Sequence, residues 1–235
     1  MDRVLILDVE GTCTATITGK VCPNHPQDFF LLPNVYGRVQ QAKKEGWLVA
    51  VASNQGGVSY GFLSEQTAWD IMLALNSMLD DALSVIKICC YHPDAPEGRR
   101  DRYVDRSKPK PAMIHEIMED LDLPSNRVGV VGNAFSDQLA AKHAGVEFRW
   151  AHEFFMWKPH WLRADRFGYH IKDHVLARKR AMLAVQARST RWLHCKECAL
   201  VYMSEGEMFC PECRKLGTEV RLADTKFSPR VDGKL

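Results

Sequence analysis

Near the amino terminus stands an unbroken β-favouring apolar run, Val4-Leu5-Ile6-Leu7, and it ends in Asp8-Val9-Glu10-Gly11-Thr12. A strand apolar on successive residues reads as buried on both faces, which points to the centre of a parallel sheet with helices on either side. In an open α/β sheet of that kind the chemistry gathers beyond the carboxyl ends of the strands, where this strand delivers two carboxylates. Residues two apart on an extended segment point the same way, and Gly11 lets the backbone turn sharply straight afterwards. Asp8 and Glu10 can therefore divide a task, one attacking or holding a cation while the other moves a proton.

Three further strand ends repeat the pattern of a polar group just past an apolar run. Trp47 to Ala52 reads as a strand ending in Ser53-Asn54-Gln55-Gly56-Gly57, where a small hydroxyl followed by glycines can hydrogen-bond a phosphate oxygen. After a strand at Val85 to Cys89 and a polar loop from His92 to Arg106 comes Ser107-Lys108-Pro109-Lys110-Pro111. Arg127 to Val131 then runs into Gly132-Asn133-Ala134-Phe135-Ser136-Asp137 and a helix from Gln138 to Ala144.

In this order the four stretches resemble the motifs of the haloacid dehalogenase-like (HAD) hydrolases. The third is similar to that of the group holding histidinol-phosphate, heptose-bisphosphate and polynucleotide 3′ phosphatases. The resemblance implies a Rossmann-like α/β domain and a Mg²⁺-dependent phosphomonoesterase. In it Asp8 attacks phosphorus, Glu10 serves as acid and base, and Ser53 and Lys108 hold the phosphoryl oxygens. Asn54 and Gln55 are implied substrate contacts, and Asp8, Glu10 through its backbone carbonyl, Asn133 and Asp137 are the implied Mg²⁺ ligands. Two departures stand out. Glu10 replaces an Asp, as in the enolase-phosphatase branch, and Asn133 replaces the first acid of the fourth motif. An amide oxygen can ligate Mg²⁺ but brings no charge, so the site would bind more weakly or lean on Asp137.

The stretch from Cys13 to Pro33 holds too many turn formers for a helix and is implied to be the flap beside the site. Its pattern Thr18-Gly19-Lys20…Pro23…Asp28…Leu32-Pro33 is similar to that of polynucleotide kinase 3′-phosphatases. A helix is expected from Asn34 to Glu45, closed by Gly46. Another follows Ser64, with Ala68, Met72, Leu75 and Leu79 at helical spacing as core. Some small-molecule relatives carry zinc in the loop before the third motif. Here Cys90 and His92 could match half of such a site, but Asp105 and Ser107 stand where the other pair would be, so three good ligands do not assemble. The intervals between motifs leave no room for a cap domain, and an open site suits a large substrate end.

No apolar run approaches the roughly 20 residues needed to cross a bilayer, and Met1-Asp2-Arg3 leads straight into the strand with no signal peptide expected. The 8 cysteines are then expected to be thiols and metal ligands of a reducing cytosol. Charge is uneven: 15 Lys/Arg face 20 Asp/Glu up to Trp157, and 16 face 9 from Lys158 onward. The later part holds Cys195-Lys196-Glu197-Cys198 and Cys210-Pro211-Glu212-Cys213, two knuckles spaced for a structural Zn²⁺ ribbon. The expected division is a HAD-like domain over 1–156, a basic helical connector over 157–191, the four-cysteine zinc ribbon over 192–216 and a flexible tail over 217–235.

A basic segment beside a ribbon can grip a phosphate backbone. The substrate expected first is therefore a nucleic-acid end, such as a 3′-phosphate. The rivals are a sugar or histidinol-type phosphatase, and a protein that has lost catalysis through Glu10 and Asn133 and only binds.

Overall fold

The computed structural model describes residues 2–171, together with the backbone of 192–194, 201–203 and 223–224. The chain runs through β1 (Arg3–Leu7), β2 (Thr14–Thr16), β3 (Phe29–Leu31), α1 (Val35–Lys44), β4 (Trp47–Asn54), α2 (Gly57–Tyr60), α3 (Glu65–Met78) and β5 (Leu83–Cys89). It continues through α4 (Ala112–Asp120), β6 (Val128–Gly132), α5 (Phe135–Ala144), β7 (Glu147–Trp150) and α6 (Ala151–Phe154) to a hairpin, β8 (Leu162–Asp165) and β9 (Gly168–Ile171).

Five of these strands form one parallel sheet in the order β5-β4-β1-β6-β7, with β1 at its centre. The apolar run explains the layers. Val4 and Ile6 pack with Met113, Ile114 and Ile117 of α4 and Ala140 and Ala141 of α5. Leu5 and Leu7 point the other way, into Val35 and Val39 of α1 and Ile71, Met72 and Leu75 of α3. Successive side chains on opposite faces thus feed two cores, which is why no polar residue interrupts the strand.

From β1 the chain first builds β4 and β5 on one side, then crosses to β6 and β7 on the other. Leu7 lies level with Val51 of β4 and Val131 of β6. The residues just past β1 and β6 therefore flank the switch point, the crevice where doubly wound sheets bind their ligands.

The helix after Ser64 starts as expected, with the Ser64 hydroxyl accepting from the Thr67 N–H at 3.0 Å, and Ala68, Met72, Leu75 and Leu79 are fully buried. Asn34 lies outside its helix in the left-handed region, φ 64. Its amide donates to the Phe155 carbonyl at 2.9 Å instead of capping α1. The flap is the antiparallel pair β2–β3. It is seated in the core through Phe29, Phe30 and Leu31. The interval from Asp8 to Ser53 holds this pair, α1 and β4, and that from Ser53 to Lys108 holds α2, α3, β5 and the polar loop, with no cap domain in either.

Residues 157–171 differ from the helical connector read over 157–191. Trp157 is buried and its indole N–H donates to the Pro33 carbonyl at 2.8 Å. The β8–β9 hairpin returns to the sheet, where Gly168 bridges Ala134 and the Tyr169 N–H donates to the Asn133 carbonyl at 2.8 Å. Net charge hid this: Trp157, Trp161, Leu162 and Ile171 pack on the α1 side of the sheet, while the lysines and arginines between them stay outside.

Further on, β10 (Trp192–His194) pairs antiparallel with β11 (Val201–Met203) and with β12 (Ala223–Asp224). The last of these lies within the tail read as flexible. Cys195, Cys198, Cys210 and Cys213 and the rest of the expected helical connector, 172–191, lie outside the described residues. No described helix is long and apolar enough to cross a membrane.

Candidate active site

Asp8 follows β1 and keeps its pairing, its N–H donating to the Val131 carbonyl at 3.0 Å. The chain then reverses at once, because the Val9 carbonyl accepts from both Cys13 and Thr14 N–H groups, at 2.8 and 2.9 Å. Gly11 sits at φ +79, and a Cβ there would stand 2.6 Å from the Asn133 amide nitrogen. Only glycine suits that turn.

Lys108 reaches into the same place from the loop before α4. Its ammonium donates to Asp8 Oδ1 at 2.6 Å, to Asp137 Oδ1 at 2.7 Å and to the Ala52 carbonyl at 2.8 Å, which accounts for all three hydrogens. Asn54 fixes the lysine's backbone from both sides, donating to its carbonyl at 3.1 Å and accepting from its N–H at 2.9 Å. Burial works against the Lys108 charge, but Asp137 and Asp8 outweigh it and hold the ammonium above the ordinary lysine range. Lys110, two residues on, is exposed and pairs with Asp105. Asp137 lies in the first turn of α5 and accepts from the Ala134 N–H at 3.0 Å. Burial and the charge of Asp8 push its carboxyl above the ordinary range, while Lys108 pulls it back.

Glu10 faces a different set of partners. Ser53 donates to its Oε2 at 2.9 Å and Gln55 to its Oε1 at 2.7 Å. Gln55 also donates to the Ser53 hydroxyl at 2.8 Å, closing a triangle. Burial, then the charge of Asp8, raise the Glu10 carboxyl to about 7, against the pull of the Gln55 and Ser53 hydrogen bonds. A carboxyl poised there can give and take a proton near neutral pH.

Asn133, buried just past β6, completes the group. Its amide nitrogen donates to the Tyr169 carbonyl at 3.1 Å, and a carbonyl can only accept, so the amide oxygen must face the other way, towards Thr12. The Thr12 hydroxyl has one hydrogen and two acceptors, Asp8 Oδ2 at 2.8 Å and Asn133 Oδ1 at 3.0 Å. At any moment one of those oxygens lacks a donor, a deficit that a cation would relieve.

The donor set suits a hard cation: two carboxylates and an amide oxygen gather where the Lys108 ammonium already bridges Asp8 and Asp137. Among the described residues no three His, Cys, Asp or Glu side chains form a metal cluster, since the fourth-motif position is an amide and the Glu10 side chain is turned to Ser53. The structure thus gathers Asp8, Lys108, Asn133 and Asp137 on one side and Glu10, Ser53 and Gln55 on the other. It sets Asn54 behind Lys108. Thr12, Tyr169 and His170 were not singled out from sequence. Thr12 stood within the first motif, whereas nothing in the order of the chain marked the other two.

A family profile described as "Haloacid dehalogenase-like hydrolase" matches residues 101–151. A D-glycero-beta-D-manno-heptose-1,7-bisphosphate 7-phosphatase of Haemophilus ducreyi is 30% identical over 148 residues, 62% of this chain and 80% of the relative. The chain belongs to the haloacid dehalogenase-like hydrolases. Its enzyme class is that of the phosphatases of this family. A D-glycero-D-manno-heptose-1,7-bisphosphate 7-phosphatase of Chlorobaculum tepidum is 29% identical, over 62% of this chain and 76% of its own length. Among solved structures, the D,D-heptose 1,7-bisphosphate phosphatase of B. bronchiseptica, complexed with magnesium and phosphate, has the same fold. Its TM-score is 0.54 at 24% identity, with 62% of this chain and 78% of that one covered.

Proposed function

We propose that this HAD phosphatase hydrolyses a small phosphorylated sugar through an aspartyl-phosphate. The observation that carries the reading is the pairing of Asp8, held by Lys108, with a second acid whose carboxyl rests near neutrality. Asp8 attacks phosphorus, forming the acyl-phosphate bond as the bond to the sugar oxygen breaks, and Glu10 gives its proton to the departing alkoxide. Glu10, now a carboxylate, takes a proton from the water that attacks the same phosphorus, so that inorganic phosphate leaves and both acids return to their starting forms. Lys108, exchanging one of its present acceptors, and Ser53, turning its hydroxyl from Glu10, hold phosphoryl oxygens as charge builds on them. Gln55 keeps Ser53 and Glu10 aligned, and Asn54 anchors the backbone of Lys108. Asp8, the Glu10 carbonyl, Asn133 and Asp137 would hold Mg²⁺, which when bound supplies the positive charge that lets two anions approach.

For the substrate, the sugar reading replaces the nucleic-acid end expected first. The similar curated relatives are named as heptose-bisphosphate phosphatases, and the flap that prompted the polynucleotide resemblance is a short, core-seated hairpin. The experiment is phosphate release with Mg²⁺ from heptose 1,7-bisphosphate and other phosphosugars, beside a 3′-phosphorylated oligonucleotide and an Asp8→Asn control. Release from a sugar that the control abolishes supports the reading. Release confined to the oligonucleotide returns the substrate to nucleic-acid ends, and none from any substrate favours a binding protein.

Cys195, Cys198, Cys210 and Cys213 are proposed to hold a structural Zn²⁺. Their spacing supports this, as do the paired strands β10 and β11 that flank the first knuckle in sequence. Metal analysis of the purified chain tests it, with one zinc per chain expected and none after Cys195→Ser with Cys210→Ser.

A further inference from the structure

Asn133, an amide where the resembled motif has an acid, is also held by the β8–β9 hairpin. Gly168, at φ +152, bridges Ala134, and a Cβ on it would stand 2.1 Å from the Asn133 carbonyl oxygen. The hairpin's next two residues hold the amide. Asn133 Nδ2 donates to the Tyr169 carbonyl at 3.1 Å and lies 3.3 Å from His170 Nδ1. His170 Nε2 lies 3.2 Å from Asp165 Oδ1 across the same hairpin, and that oxygen also accepts from the Phe167 N–H at 2.8 Å. A carboxylate can only accept, so Nε2 carries the ring hydrogen and Nδ1 is left as an acceptor for the Asn133 amide.

We infer that the β8–β9 hairpin is part of the active site, and that His170, oriented by Asp165, is a positioning residue that turns the Asn133 oxygen towards the cation site beside Asp8. An acid at position 133 would present an oxygen to the Tyr169 carbonyl and to Nδ1, with no hydrogen between them. The hairpin and the amide therefore require each other. An outer partner that orients a metal ligand is ordinarily worth about 10- to 100-fold in metal affinity. Here one neutral ligand stands where the family places a charge, so its orientation matters more.

The inference rests on the reading of Asp8, Asn133 and Asp137 as the cation site, and the test separates the two. Mn²⁺ binding to the full chain is measured by titration calorimetry, with metal-free melting temperature as the control for folding. His170→Leu removes the acceptor and is expected to weaken Mn²⁺ about tenfold. His170→Asn keeps an acceptor at the δ position and is expected to stay within about twofold of wild type. Wild-type affinity in His170→Leu, or equal losses in both variants, would overturn the role of His170. Should His170→Leu not fold, His170→Ala beside His170→Asn gives the same comparison. Asp137→Asn serves the underlying reading: if it binds Mn²⁺ as wild type does, the cation site itself is wrong. If it alone loses affinity, only the positioning role is.

Discussion

At the scale of single residues, Lys108 joins two acids that burial would otherwise keep apart from any counter-charge. Lys108→Met would leave Asp8 and Asp137 buried without it, and removal of one partner from a buried ion pair costs about 3–5 kcal/mol. The loss is expected to be larger at pH 8 than at pH 5, since the Asp137 carboxyl, raised by burial, can protonate as the pH falls, and denaturant melts in EDTA at the two pH values check it. Glu10 carries the opposite liability. Its carboxyl is raised from 4.5 to about 7, so between those values the folded chain keeps a proton that the unfolded chain has released. Metal-free stability should therefore fall as pH rises from 4.5 to about 7 and level off above, by at most about 3 kcal/mol. In Glu10→Gln that slope should become shallower in melts recorded across the same window, the remainder belonging to the raised Asp137 carboxyl. Asn133→Asp restores the family's usual acid, yet it is expected to destabilise the metal-free chain by about 1–3 kcal/mol, because the Tyr169 carbonyl loses its donor. Thermal melting in EDTA tests this, and a gain in stability would contradict the hydrogen-bond assignment.

Elements matter here mainly where two of them meet. The turn after β1 and the hairpin β8–β9 both close on Asn133, each through a glycine that a side chain could not replace. Gly168→Ala would press a methyl group into the Asn133 carbonyl and push the hairpin away, with an expected loss of about 2 kcal/mol and a fall in turnover. Ser64→Ala gives the contrast. It removes the cap of α3 far from the chemistry and should cost about 1 kcal/mol while leaving kcat unchanged. Paired melting and kinetic measurements on the two variants distinguish an element that builds the site from one that only supports the sheet.

Across the whole molecule, packing places the edge of the catalytic unit later than charge suggested. A chain ending at residue 156 would lack Trp157 and Ile171, both buried against the α1 layer, and each such side chain contributes about 1.5–3 kcal/mol. That is a large share of the roughly 5–15 kcal/mol by which domains are stable. A chain ending at 171 keeps both residues and the hairpin. The shorter form is expected to melt far below the longer one or fail to fold, and the longer form to retain phosphate release from a small sugar phosphate. Equal melting temperatures would show that the hairpin is an accessory.

Much of this was open to reading from the order of residues alone. A short β-favouring apolar run with no polar interruption reads as a strand covered on both sides, so Val4 to Leu7 pointed to the sheet's centre and, with it, to the positions of Asp8 and Glu10. Ser53 stands at the end of a buried run in the same way, whereas Lys108 and Asp137 were expected beside it only from the resemblance to the third and fourth family motifs. What the tertiary structure alone decided is how these groups share partners. The fold brings together positions 100 residues and more apart, and hydrogen-bond capacity then settles which partners each group holds. Lys108 is exhausted between two acids and a carbonyl, Glu10 turns to Ser53 and Gln55, and Asn54 serves the lysine's backbone. The grip of Tyr169 and His170 on Asn133 was hidden in a segment read, from its net charge, as a basic helical connector. Charge and composition average over a stretch, whereas packing is decided by the few apolar side chains within it and by the neighbours that only folding supplies.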